Sequence, residues 1–312
     1  MEIQWRQRLQ KEETVMNNII CIDIGGTAIK YGVINTEGDV QCTRETPTEA
    51  KKGAAALTEK LRHITRELLA ECPDARGIAI STAGVVNSDE ASILHATDAI
   101  PGWKGTSLRN ELAEFSLPVE AENDVNCAGL AEYISGNAQG AKSALVMTIG
   151  TGIGGCYIEE GRLLNGHTYS ACEVGYLPVD GTAFQDLAAT SVLSATVAAV
   201  KGGTPEEWTG RRIFEAAAAG DTECRQAIDT MCEILGKGIA ALCFVLNPEV
   251  VVLGGGIMAQ EGVLRSPIET AFARHSIPLV ADATRIEFAS HQNAAGMKGA
   301  LVNFLNRHPE LA

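Results

Sequence analysis

The sequence predicts an α/β protein of two domains built on one plan, and three observations carry that prediction. The length of 312 residues is about twice that of an ordinary single domain. Apolar, strand-like runs alternate with stretches of helical spacing, and the order strand, glycine turn, strand, strand, then helix and strand occurs twice. Glycine is in excess, 32 residues or about 10% against a usual value of roughly 7%, and much of it directly follows apolar runs. The two units are not similar in sequence, so the duplication is one of pattern.

Residues 1–17 read as a solvated lead-in. MEIQWRQRLQKEETVM alternates charge and polarity and lacks the apolar core of a signal peptide, and Met16 offers an alternative start. The first domain is placed at 18–121. Ile19 to Ile24 is an apolar strand ending in Gly25-Gly26, followed by strands Ala28 to Ile34 and Val40 to Thr43 across a turn at Thr36-Glu37-Gly38. Lys51 to Glu71 has helical spacing (Leu57, Leu61, Ile64, Leu68) and stops before Pro73. Gly77 to Ser81 and Pro118 to Ala121 read as strands, with a short helix over Ser107 to Phe115.

The second domain is placed at 122–292. It opens with a helix over Val125 to Tyr133; a strand, Ala144 to Ile149, runs into GTGIGG, and Cys156 to Glu159 forms the next. Helices follow over 183–200, 210–218 and 222–246. Glu249 to Leu253 is a strand entering Gly254-Gly255-Gly256, another strand lies near Ile286, and a helix over 293–307 is free to return to the first domain.

Composition narrows the class of protein. Twenty-five basic against 39 acidic side chains leave a formal charge of −14, which argues against nucleic acid or an anionic membrane as partner. No apolar stretch is long enough to span a bilayer. Nine cysteines with no C-x-x-C spacing read as reduced, mostly buried thiols, as in a cytoplasmic protein.

The three glycine turns carry the chemistry. In Asp23-Ile24-Gly25-Gly26-Thr27, with Lys30 following, glycines after a buried strand let backbone N–H groups face an anion. Asp23 could there hold Mg²⁺ through water. A plain hairpin with Gly-Gly in a primed turn explains the same residues. Gly150-Thr151-Gly152-Ile153-Gly154-Gly155 satisfies G-x-G-x-x-G, but a dinucleotide fingerprint must open a helix. Here a strand follows, so the segment reads as a phosphate-cradling hairpin with the hydroxyls of Thr148 and Thr151 beside it. Gly254-Gly255-Gly256-Ile257-Met258-Ala259 fits G-x-G-x-x-A, with Asp282 after a further strand, and keeps a nicotinamide-dependent dehydrogenase as an alternative.

Taken together, DIGGTAIK at 23–30, TIGTGIGG at 148–155 and NPEVVVLGGGI at 247–257 resemble the ROK family of sugar kinases and repressors. Gly84-Val85, Ile100-Pro101-Gly102-Trp103, Asn123-Asp124 and Asn293-Ala294-Ala295-Gly296 fall in the family's order, and the resemblance runs from about Asn18 to Asn306. It implies the duplicated actin, hexokinase and Hsp70-like (ribonuclease H-like) fold, with a cleft between two domains.

The same resemblance implies the roles. Asp124 is the expected base that takes the proton of the attacking sugar hydroxyl, although Asn123-Asp124 is also a good helix cap. Gly84, Val85, Asn123, Glu173, Tyr176 and Gln185 are the expected sugar contacts. Tyr176 stands where zinc-containing members have histidine, and Gln185 stands where a second glutamate is usual. No cysteine lies between Cys172 and Cys224, so no structural zinc is expected. ATP and Mg²⁺ are the expected cofactors. Asp23, Gly25, Gly26, Thr27, Lys30, Thr148, Gly150, Thr151, Gly152, Gly254, Gly255 and Gly256 would surround the nucleotide. The family's habit implies a homodimer. A non-catalytic sugar sensor is the rival reading; a repressor's N-terminal helix-turn-helix has no room ahead of the first strand.

Overall fold

Two five-stranded mixed sheets of identical strand pattern organise the chain in a computed structural model that describes residues 17–291 and 294–312. Apart from Asn17, the expected lead-in lies outside the described residues, as do Gln292 and Asn293.

In the first sheet β1 (Asn18–Ile24), β2 (Ala28–Asn35) and β3 (Val40–Pro47) form an antiparallel meander. α1 (Ala54–Glu71) then returns the chain so that β4 (Gly77–Thr82) lies parallel to β1. β5 (Val85–Asn87) and β6 (Ser92–His95) make a separate hairpin, α2 is Leu108–Glu111, and β7 (Val119–Asn123) closes the sheet in the order β3-β2-β1-β4-β7. α1 begins later than the spacing predicts. Gly53, at φ +83°, separates it from a 3-10 turn over Ala50–Lys52. The Ser107 to Phe115 helix is likewise broken: α2 is capped by the Ser107 hydroxyl, and a 3-10 turn over Ala113–Phe115 ends at Ser116, which is left-handed.

α3 (Asp124–Ser135) leads to the second sheet. β8 (Ser143–Ile149) and β9 (Ile153–Glu159) form a hairpin, β10 (Arg162–Leu163) extends it, and β11 (Pro178–Val179) and β12 (Thr182–Ala183) form a small ribbon. α4 (Gln185–Ala188), α5 (Thr190–Lys201), α6 (Gly210–Ala218) and α7 (Thr222–Leu246) follow. α4 and α5 replace the single helix expected over 183–200, because Ala189 is extended between them. β13 (Val250–Gly254) joins β8 in parallel, and α8 (Glu261–His275) and α9 (Pro278–Ala281) precede β14 (Arg285–Phe288) in the order β10-β9-β8-β13-β14. The strand expected ahead of Asp282 is absent. That stretch is helical, with Leu264, Ile268, Ala271 and Phe272 buried at 3.6-residue spacing despite Pro267.

α10 (Ala295–Arg307) covers the first sheet, packing Ala300, Leu301 and Phe304 with Ile19, Cys21 and Ala79. α3 packs Leu130 with Val146, Cys156 and Ile158 of the second sheet. The two helices pack extensively against each other, which joins the covers of the two sheets. The other faces bury larger cores, around Ile22, Leu61 and Ile80 in the first half and around Leu145, Phe184 and Ile239 in the second.

Candidate active site

The site is built where β7 ends and α3 begins. Asn123 is the N-cap of α3: its Oδ1 accepts from Val125 N at 2.9 Å and Asn126 N at 3.1 Å. Its Nδ2 donates to the Gly84 carbonyl at 2.9 Å and to Asp124 Oδ1 at 3.1 Å. Two donors and two lone pairs are thus filled, so the Asn123 amide acts as a strut orienting Asp124. A sugar contact from Asn123 requires releasing one of these bonds. Asp124 Oδ1 also accepts from Val125 N at 3.0 Å. Beneath it the buried Glu122 carboxylate accepts from Ser88 Oγ at 2.6 Å, Asn123 N at 2.8 Å and Asn126 Nδ2 at 2.9 Å.

Charge is crowded here. Burial pushes the Asp124 carboxyl above the ordinary aspartate range, and the negative charge of Asp23 pushes it further. Asp23, at the end of β1, is itself raised by burial; the Ser81 hydroxyl, donating at 2.7 Å, and the charge of Lys30 opposite it across β1 and β2 ease its ionisation. Asp23 also lies against Gly296 in the first turn of α10. Among the described residues, no three His, Cys, Asp or Glu side chains form a metal-binding group.

A cleft of about 670 Å³ opens beside Asp124. Gly84, Val85, Asn123, Asp124, Glu173 and Tyr176 line it together. Burial raises the Glu173 carboxyl, while the charge of His95 across the cleft opposes that shift. Gln185 is not on the wall. Its side-chain oxygen packs between Gly152 and Gly175, behind the turn that carries Glu173. His95, Trp103, Thr168 and Ser170 also line the cleft, and sequence reasoning did not assign them. Only Trp103 left a trace there, in the Ile100-Pro101-Gly102-Trp103 run; its indole donates to Thr82 Oγ1 at 3.3 Å.

A second cavity of about 570 Å³ is lined by Gly150, Thr151 and Gly256 with residues of α5 and α6. Gly150 to Gly152 form the tip of the β8–β9 hairpin, where Gly150 N donates to Gly152 O at 2.9 Å, and Ser191 Oγ holds Thr151 O at 2.6 Å. Gly255 sits at φ +109° with its α-carbon against the Ile149 backbone, a position no side chain fits. That places the third glycine turn beside the second. The strand after Gly152, and the 3-10 turn Gly256–Gln260 after Gly255, depart from the strand–turn–helix of a dinucleotide site. Gly25 to Thr27 form a hairpin turn between β1 and β2, with Gly25 N donating to Ala28 O at 3.0 Å. Asp23, Gly25, Gly26, Thr27 and Lys30 line neither cavity, nor do Thr148, Gly152, Gly254 and Gly255.

Comparison with known proteins identifies the family. Residues 19–307 match the ROK family. A β-glucoside kinase of Listeria innocua is 34% identical over 93% of this chain and 99% of its own. A glucokinase of Halalkalibacterium halodurans is 32% identical over 89% of this chain and 92% of its own. The ROK hexokinase structure from Thermus thermophilus superposes with a TM-score of 0.80 at 28% identity, over 94% of this chain and 99% of that one. The fold is that of the actin and hexokinase-like kinases. The chain is a phosphotransferase by this kinship, and it belongs to the ROK family.

Proposed function

We propose that the protein transfers the γ-phosphoryl group of ATP to a hydroxyl, the 6-OH, of a hexose, N-acylhexosamine or β-glucoside held in the 670 Å³ cleft. One observation carries this reading: the β8–β9 hairpin lines both cavities, through Gly150 and Thr151 on one side and Gly154 and Gly155 on the other. A nucleotide in the second cavity therefore meets an acceptor in the first across backbone N–H groups, next to Asp124.

Asp124 takes the proton of the attacking hydroxyl. A carboxylate is a weak base, but a loose transition state releases the proton late, so holding the oxygen in line matters more. The Asn123 amide fixes that carboxylate, and Glu173 and His95 offer hydrogen bonds to other hydroxyls across the cleft. The crowding of Asp23 and Asp124 suits a divalent cation, since two buried carboxylates that disfavour each other's charge would both be favoured in ionised form by a nearby positive ion. Asp23 would hold Mg²⁺ through water, and the ion when bound neutralises charge on the transferring phosphates. Exclusion of water from the cleft spares ATP from hydrolysis. We place the protein in the cytoplasm as a homodimer; among the described residues no helix is long and apolar enough to cross a membrane.

The test is ADP release against glucose, mannose, N-acetylmannosamine, fructose and cellobiose, with Asp124→Ala as the partner experiment. Sugar-dependent ADP release that Asp124→Ala abolishes, with nucleotide binding retained, supports the kinase. A sugar sensor would bind sugar and release no ADP, and a nicotinamide absorbance change without ADP would sink the reading.

A further inference from the structure

The loop from 164 to 172, between β10 and the Glu173 turn, reaches from the second half of the molecule to the first. At its crest Tyr169, left-handed at φ +58°, donates its phenol hydrogen to Asp89 Oδ2 at 2.5 Å. Asp89 lies in the turn between β5 and β6, 80 residues earlier in the chain. Arg307, in the last turn of α10, donates to the other oxygen of Asp89 at 3.0 Å, and Arg109 donates to its backbone carbonyl at 3.0 Å. Asp89 is therefore anchored within the first half before Tyr169 meets it.

Both partners stand beside the cleft without lining it. The residues flanking Tyr169, Thr168 and Ser170, do line it, and their hydroxyls share a hydrogen bond at 2.7 Å. The β5–β6 hairpin supplies the opposite wall through Val85, Leu94 and His95. Ser88, next to Asp89, donates to the buried Glu122 that supports Asn123 and Asn126. The Tyr169–Asp89 bond thus joins the two walls at the rim, and the same turn is tied below to the strand that presents Asp124.

We propose that Tyr169 is a positioning residue, holding the 164–172 loop across the rim of the cleft through Asp89 so that Thr168 and Ser170 face the acceptor. This rests on the sugar-kinase reading for its effect on turnover, and on the contact alone for its effect on the loop. The phenol adds no group to the reacting atoms; it fixes the loop that faces them. Removing its hydroxyl leaves the ring in place and frees the loop.

The experiment compares wild type, Tyr169→Phe, Asp89→Ala and the double variant. It measures sugar and ATP KM by ADP release and amide hydrogen exchange across 164–172 in the sugar-free protein. Loss of one solvent-exposed hydrogen bond predicts a rise of about 2- to 10-fold in sugar KM, larger than any fall in kcat and with ATP KM unmoved. Exchange in the loop accelerates, and the double variant is no worse than the more affected single one, because each single variant already removes the shared Tyr169–Asp89 bond. Unchanged sugar KM and unchanged exchange in Tyr169→Phe, or an equal rise in ATP KM, overturns the proposal. If wild type phosphorylates no sugar in the panel, the kinase reading fails, and exchange in the loop alone then decides for or against the contact.

Discussion

Gly299 of α10 rests its bare α-carbon on the backbone carbonyl of Cys127 in α3, where a β-carbon would overlap the oxygen. This is the joint at which the two sheets' covering helices meet. Alanine is the better helix former by about 1 kcal/mol, yet overpacking against backbone costs about 1–3 kcal/mol. Gly299→Ala therefore loses stability in a denaturant titration. Gly262, in α8 with open space around it, is the control: Gly262→Ala gains or holds stability.

Asp124→Asn separates catalysis from folding. Loss of the proposed base is expected to lower turnover by about 10²–10⁴-fold. Because burial and Asp23 raise the folded carboxyl's pKa, wild type loses stability as pH rises through that value, whereas asparagine does not titrate. The variant is expected to be more stable than wild type at neutral pH by about 0.5–2 kcal/mol. The gain disappears once pH falls below the unfolded aspartate value of about 3.9. Thermal melts at pH 7.5 and at about pH 3 check the sign.

The same shift is expected to show in kinetics. A base whose folded pKa is raised protonates early on acidification, so the acid limb of kcat/KM lies above pH ~4. Asp23 contributes to the shift, so Asp23→Asn moves the limb to lower pH whatever it does to the maximum rate. A pH–rate profile of both proteins tests this; coincident limbs count against the coupling.

Glu132, buried in α3, clasps the end of that helix to the segment that follows β14. One oxygen accepts from Asn137 N at 2.9 Å and Ser290 Oγ at 3.0 Å, the other from the N–H groups of Ser290 and His291, each at 2.8 Å. Glu132→Ala removes the buried acceptor of four donors carried by residues that are themselves exposed or half-buried. A loss of about 1–3 kcal/mol is expected, with Glu132→Gln intermediate because its amide group faces donors.

The sheets were legible because apolar runs punctuated by glycine leave few alternatives, and α6 and α7 fall where their spacing puts them, over Gly210–Ala218 and Thr222–Leu246. α8 was not, since Pro267 interrupts a pattern that its buried Leu264, Ile268 and Phe272 nevertheless complete. Asn123 and Asp124 stood out as a polar pair between strand and helix. His95, Thr168 and Ser170 carried no local signal, because each reaches the cleft only through the placement of a loop or hairpin.

By itself the sequence determined a duplicated α/β chain with three glycine turns at strand ends and a carboxylate between a strand and a helix. Those features depend on local periodicity and on glycine's missing side chain, both of which are written in consecutive residues. Tertiary structure alone decided that Asn123 is saturated by its neighbours, that Gln185 stands behind the wall, and that Tyr169 meets Asp89 across the rim. Each of these depends on which distant backbone arrives at hydrogen-bonding distance, and packing of the two halves, rather than residue type, sets that.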